Sequence, residues 1–175
     1  MQTTRLTIRK FKLSDQNDVF AYAKDPEVGP LAGWRPHRSQ KESLHIIKYL
    51  FLRNPYSYAI VHKETNTVIG SIGFTKKFFR PTYELGYSLA KAYWGQGLMS
   101  EAVVRMVQFG FEDLNANRLL AKTMTHNRAS QKVLLKTGFE KTHEKKQHFH
   151  RYDGQVFDVT FYELRRSQWR NHAKT

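Results

Sequence analysis

Apolar residues along this chain recur at two distinct spacings, and each change of spacing marks an element. Leu6 and Ile8 alternate with polar neighbours, so Thr4 to Lys10 reads as a half-buried strand. Ser14 is placed to cap a helix carrying Val19, Phe20 and Ala23 that stops before Asp25-Pro26. Gly29, Pro30, Gly33 and Pro36 make Val28 to His37 a loop. Ser39-Gln40-Lys41-Glu42 has the form of a capping box, opening a helix with Leu44, Ile47, Tyr49, Leu50 and Phe51. Tyr56 to His62 and Thr67 to Thr75 flank the polar turn Lys63-Glu64-Thr65-Asn66 and predict an antiparallel hairpin. Thr82 to Leu89 is the next strand, after a loop containing Pro81.

From Leu98 the period is helical, with Val103, Met106, Val107, Gly110 and Leu114 three and four apart. Arg118 to Thr125 is again a strand. Asn127 caps a helix with Ser130, Val133, Leu134 and Thr137 along one face, and Gly138 then takes the left-handed position with Phe139 as hydrophobic partner. Glu140 to Arg151 and Gln155 to Arg165 read as two strands joined at Asp153-Gly154, and Ser167 to Thr175 as a frayed tail. No internal repeat, low-complexity tract or linker interrupts the 175 residues, which predicts one domain over 1–166 and a tail over 167–175. The order β-α-α-β-β-β-α-β-α-β-β gives a mixed α/β chain of the α+β class.

The segment from Trp94 to Ala102 changes the picture most. Gly95 and Gly97 flank Gln96, a strand precedes them, and a helix follows at once. Glycine admits close backbone approach, and the unpaired N–H groups of a helix's first turn lie at the positive end of its dipole, so the segment predicts a phosphate or pyrophosphate site. It is not a dinucleotide fingerprint: it follows the fourth strand, and Ser100 stands where a third glycine belongs. It is not a P-loop, since no Gly-Lys-Ser/Thr follows. Lys and Arg number 29 against 15 Asp and Glu, a formal +14 spread along the chain. That charge suits a phosphorylated cofactor, RNA or an acidic protein face, and equally a solvated surface. The absence of cysteine removes disulfides, thiolate metal sites and a cysteine nucleophile. No apolar run approaches the roughly 20 residues needed to cross a bilayer, and the start of the chain has no signal-peptide pattern, so the expected location is cytoplasmic.

Three blocks in order resemble the GNAT superfamily of acyl-CoA-dependent N-acetyltransferases: Glu84-Leu85-Gly86-Tyr87-Ser88-Leu89, Tyr93 to Ala102, and Asn127-Arg128-Ala129-Ser130 through Lys136-Thr137-Gly138-Phe139. With the opening Arg5-Leu6-Thr7-Ile8-Arg9, they are most similar to the branch of ribosomal-protein N-terminal acetyltransferases, the RimJ/RimL type. The resemblance implies a central, mostly antiparallel twisted sheet of about seven strands flanked by four helices, with a splayed parallel pair formed by Thr82–Leu89 and Arg118–Thr125. Acetyl-CoA would lie between these strands. The backbone of Tyr87, Ser88 and Leu89 would bind its pantetheine, whose amides can partner the groups a splay exposes. N–H groups across Trp94, Gly95, Gln96, Gly97, Leu98, Met99 and Ser100 would hold its pyrophosphate. The chain departs from the superfamily pattern Arg/Gln-x-x-Gly-x-Gly/Ala by carrying Trp94 first and the bulkier Met99 last; the branch accepts tryptophan at the first position.

The implied reaction is attack of a neutral amine on a thioester, which needs a base, donors for an oxyanion and help for the departing thiolate. Glu84 is the candidate base, on the polar face of its strand and partly buried; the competing reading is a surface glutamate paired with Lys or Arg. Ser130 is the candidate group near the sulfur, where many superfamily members use tyrosine and this branch often serine; as a poor acid it would hydrogen-bond the thiolate, or it is simply a helix-turn serine. Asn127 would both cap its helix and touch pantetheine. Arg128, Lys132 and Lys136 meet the cofactor's 3′-phosphate or form a solvated face. His148, His150 and His143 lack a spaced carboxylate and read as exposed histidines, with no metal site. Among the aromatics near loops, Trp34, Tyr56, Tyr58, Phe78 and Phe79, the one best placed to touch the acceptor is Trp34. The reading is therefore an acetyl-CoA-dependent N-acetyltransferase whose acceptor, by resemblance alone, is a ribosomal-protein N-terminal amine. Rival readings are a polyamine or aminoglycoside acceptor, which the positive field opposes, an acyl-CoA-binding protein without catalysis, and a nucleic-acid-binding module, for which no RNP-type strand or helix-turn-helix spacing is present. A weak RNA or ribosome association, no membrane, and a monomer or homodimer complete the expectations.

Overall fold

The computed structural model describes residues 1–77 and 81–172. Its strands are β1 (Leu6–Arg9), β2 (Ser57–His62), β3 (Thr67–Lys77), β4 (Thr82–Leu89), β5 (Arg118–Met124), β6 (Glu140–His150) and β7 (Val156–Arg165). They form a seven-stranded sheet in the order β1-β2-β3-β4-β5-β7-β6. The helices are α1 (Gln16–Ala23), α2 (Val28–Ala32), α3 (Gln40–Ile46), α4 (Leu98–Glu112), α5 (Arg128–Lys136) and α6 (Arg166–His172). β4 and β5 run parallel, as expected, in a register from Thr82↔Arg118 to Leu85↔Ala121; the pairs β1–β2, β2–β3, β5–β7 and β6–β7 are antiparallel. The mixed sheet agrees with the expected α+β fold; the helices number six rather than four among the described residues. The chain divides into two compact units, Met1–Gly73 with Tyr87–Ala102, and Phe74–Gly86 with Val103–Thr175.

In the first unit Phe11, Val19, Tyr22, Val28, Ile47, Ala59, Val61 and Val68 form the core, with Trp34 and Phe51 packed on it. Ser14 does not cap α1. It lies inside a single 3₁₀ turn, Leu13–Asp15, and Asp15 is the residue before the helix. The buried Asp15 carboxylate accepts from Arg9 Nη1 and Nη2, at 2.8 and 2.7 Å, and from Lys12 N at 2.8 Å. The expected loop Val28 to His37 begins with a helical turn, α2, ended by Gly33 at φ 89°. Pro30 is tolerated there because first-turn N–H groups need no helical partner. Ser39 caps α3 as expected, its Oγ accepting from Glu42 N at 3.1 Å; the Glu42 carboxylate reaches past Ser39 to the backbone N–H of Arg38 at 2.6 Å. The turn after α3, Ile47–Phe51, is π-helical.

In the second unit, register puts Tyr83, Leu85, Leu119, Ala121, Tyr162 and Leu164 on one buried face, and Glu84, Leu120, Lys122, Phe161 and Glu163 on the other. α4 covers the buried face closely: a Cβ at Gly110 would stand 3.0 Å from Leu119 and 3.2 Å from Phe74. α5 ends as its sequence predicts, with Gly138 at φ 90° and Phe139 N–H donating to Leu134 O at 3.0 Å. The residues read as a frayed tail begin instead as α6. Trp169 stacks on Phe111 at 5.2 Å, and the Arg166 guanidinium donates to the carbonyls of Ala116 and Phe111. Those partners are some fifty residues away in sequence, so no local pattern announces the helix.

Candidate active site

The end of β4 and the glycine loop lie in the first unit. Ser88 is buried, its Oγ 2.9 Å from Ser71 Oγ. The buried Tyr22 phenol bonds both serines, and burial pushes its ionisation upward, so this polar cluster stays neutral. Close strand packing holds it: a Cβ at Gly70 would stand 2.3 Å from Ser88 O. The Trp94 indole donates to Leu89 O at 2.7 Å, tying the loop's first residue to the last of β4. This gives the departure at Trp94 a structural reason. Gly95 and Gly97 take left-handed conformations, φ 75° and 77°; a Cβ at Gly95 would meet nothing within 4 Å, and one at Gly97 only Arg5 Nη2 at 3.7 Å. Leu98 and Met99 turn inward, at 1 % and 7 % exposure, so the bulk of Met99 goes into the core rather than over the loop. An open glycine bend entering a 15-residue helix fits an anionic cofactor group held by backbone amides.

The sequence reading missed what fixes that bend. Glu101, in the first turn of α4, accepts from Thr3 Oγ1 at 2.5 Å, Arg5 N at 2.8 Å and Arg5 Nε at 2.8 Å, while Arg5 Nη1 donates to Gln96 O at 3.0 Å. Burial alone would raise the Glu101 carboxyl's pKa. The bonds from Thr3, the Arg5 backbone and the Arg5 guanidinium outweigh it and hold the pKa below the ordinary value. The arrangement sets a guanidinium beside the phosphate-type loop. The only sequence hint was Arg5 opening an alternating strand, far from the loop in sequence.

Glu84, Asn127 and Ser130 lie in the second unit. Glu84 projects from the polar side of β4 and is partly buried, as expected, with its side chain 22 % exposed. It is also paired: Lys77 Nζ lies 3.0 Å from Oε2 and Lys122 Nζ 3.3 Å from Oε1. The pairing with lysine that the competing reading expected is therefore present. The lysines come from β3 and β5 and could not be assigned to it from spacing. Asn127 caps α5, its Oδ1 accepting from Ser130 N at 3.1 Å, which seats Ser130 in the first turn. Arg128, Lys132 and Lys136 are exposed along α5.

Trp34 is half-buried against the first unit's core, its ring filling the space over Gly29, where a Cβ would meet Cε3 at 2.7 Å. Lys10 Nζ lies 4.2 Å from the Tyr58 ring centre. Phe78 and Phe79 lie outside the described residues. His143 stacks flat on Phe161, centroids 4.6 Å apart at 3°, and His148 leans on the same ring. Among the described residues no three His, Cys, Asp or Glu groups gather to hold a metal.

A family model described as an acetyltransferase (GNAT) domain matches residues 5–140. The uncharacterized N-acetyltransferase p20 of Bacillus licheniformis is 32 % identical over 97 % of each chain. The [ribosomal protein uS5]-alanine N-acetyltransferase of Escherichia coli is 28 % identical over 69 % of this chain and 56 % of its own. Among solved structures, the spermidine N-acetyltransferase of Vibrio cholerae, in complex with CoA and spermine, superposes with a TM-score of 0.82 at 16 % identity, covering 96 % of this chain and 99 % of that one.

Proposed function

The chain belongs to the GNAT acetyltransferase family and is an acetyl-CoA-dependent N-acetyltransferase, and on that premise we propose that its acceptor is the N-terminal amine of a protein. The observation that carries this reading is the likeness to the uS5-alanine acetyltransferase of Escherichia coli. The formal charge of +14 agrees, because its long-range field opposes approach of a polyamine or aminoglycoside.

Acetyl-CoA supplies an acyl group activated as a thioester. In this proposal the amides from Trp94 through Gly97 to Ser100 hold its pyrophosphate, and the backbone of Tyr87, Ser88 and Leu89 holds its pantetheine. Glu84 accepts the proton that the attacking amine gives up, directly or through water, as the new N–C bond forms and the C–S bond breaks. The Ser130 hydroxyl donates a hydrogen bond to the departing thiolate, and Asn127, by capping α5, fixes where that hydroxyl stands. The exposed part of the Trp34 ring contacts the acceptor. Each Glu84 oxygen keeps its own lysine partner at 3.0 and 3.3 Å, which holds the carboxylate in place while leaving lone pairs for the amine.

Steady-state transfer to a peptide with a free α-amine, measured on Glu84→Gln, tests the assignment. A general base contributes about 10²–10⁴-fold. The variant should lose kcat in that range, keep its affinity for acetyl-CoA, and regain rate as pH rises and the free amine fraction grows. Unchanged turnover across the pH range would remove Glu84 from the chemistry. Turnover of spermidine or an aminoglycoside, with no peptide accepted, would replace the acceptor.

A further inference from the structure

Glu84 shares its face of the second unit with a set of cations. Lys77 and Lys122 hold its two oxygens. One strand further, Phe161 lies opposite Lys122 in the register, with Lys145 Nζ 5.6 Å from its ring centre and His143 flat against it. The neighbouring acid, Glu163, is held by Arg118 at 3.1 Å and by Arg165. Glu140 lies opposite Glu163 on the outermost strand. Among the described residues of this face, Lys77, Lys122, Lys145, Arg118 and Arg165 stand against the carboxylates of Glu84, Glu163 and Glu140. Lys122, His143 and Lys145 are exposed and Phe161 half-exposed. The family match ends at residue 140, where β6 begins, so His143, Lys145 and Phe161 lie in the part of the chain outside it.

This distribution sorts acceptors by the charge that follows the amine. A cationic acceptor would bring like charge against three ammonium groups. An acceptor whose amine meets Glu84 and whose next groups are carboxylates would pair with Lys122 on β5 and then Lys145 on β6. The three steps from β4 across β5 and β7 to β6 span roughly 14 Å at about 4.8 Å per step, and Lys145, opposite Val159, also stands four residues along β7 from the row of Glu84 and Glu163. An extended chain of about six residues, at about 3.4 Å each, covers the resulting diagonal. Resting on the reading that Glu84 receives the acceptor amine, we infer that the acceptor is an N-terminal peptide with acidic side chains within its first few residues, laid across this face towards β6.

The test compares two peptides that share an N-terminal residue and differ only by Glu or Lys at the second and third positions, with spermidine as a third acceptor. Transfer is read as kcat/KM, and binding of the labelled peptides to the CoA-saturated protein is read separately. The acidic peptide should be favoured about tenfold at low salt, equivalent to about 1.4 kcal/mol and reasonable for two or three partly exposed pairs. The preference should shrink as salt screens it. Lys122→Glu and Lys145→Glu should each erode it, and the milder Lys122→Gln should do so without changing the fold. Equal or reversed preference, with transfer intact, overturns this inference and leaves the N-terminal acetyltransferase reading standing. Transfer to spermidine alone overturns both. Absence of transfer to either peptide overturns both the inference and the N-terminal-amine reading, whether or not the acidic peptide binds more tightly.

Discussion

Two glycines separate backbone need from open space. Gly97 has φ 77°, and a Cβ there would meet only the Arg5 guanidinium at 3.7 Å. Gly86, on β4, has no such φ and nothing within 4 Å of a built Cβ. Gly97→Ala should therefore cost about 1–2 kcal/mol through its left-handed backbone, lowering Tm by about 2–4 °C per kcal/mol, and weaken acetyl-CoA by shifting the loop amides. Gly86→Ala should leave Tm unchanged or slightly raised. Calorimetry with and without acetyl-CoA checks both, and equal effects of the two substitutions would remove the special role given to the loop. At this scale the sequence was legible wherever one residue's chemistry decides its place. Gly138 took the left-handed position and Asn127 capped its helix, whereas Ser14 did not cap α1. It was not legible where a partner comes from another strand: the lysines on Glu84 are seven residues before it and thirty-eight after, and only the sheet brings them together.

Elements were legible in proportion to how far local pattern outweighs tertiary contact. β4, the β2–β3 hairpin, α4 and α5 follow their periodicity and caps to within a few residues. α2 was hidden because Gly29 and Pro30 read as loop residues, although a first turn accepts both; α6 was hidden because Phe111 and the carbonyls of Ala116 and Phe111 hold it. The tie between the N-terminal segment and α4 was equally invisible, since Thr3 and Arg5 meet Glu101 across almost a hundred residues. That tie makes a prediction. Glu101→Gln removes a charged acceptor from three donors and should cost about 1–3 kcal/mol at neutral pH. Because the folded carboxyl sits below its unfolded value near 4.5, its contribution is present above that pH and is lost as pH falls through the folded value. The variant's stability should accordingly fall less steeply than the parent's below about pH 4.5. Parallel acid-unfolding curves for the two proteins would show that Glu101 does not fix the segment.

For the molecule as a whole, the family match over residues 5–140 and a relative 32 % identical over 97 % of the chain establish the acetyltransferase fold and activity class. No helix among the described residues is long and apolar enough to cross a membrane. The acceptor is what the sequence alone left open, because acceptor choice depends on side chains that the sheet assembles from several strands. The net charge of +14 gave its sign, while its concentration beside Glu84 needed the register of β4, β5, β7 and β6. The most direct measurement incubates the protein with isotope-labelled acetyl-CoA and a peptide carrying both a free α-amine and an internal lysine, then maps the label by mass spectrometry while counting thiol released. The account predicts label on the α-amine, matched by thiol release and lost in Glu84→Gln. Label on the lysine, or thiol release with no acetylated peptide, would contradict it.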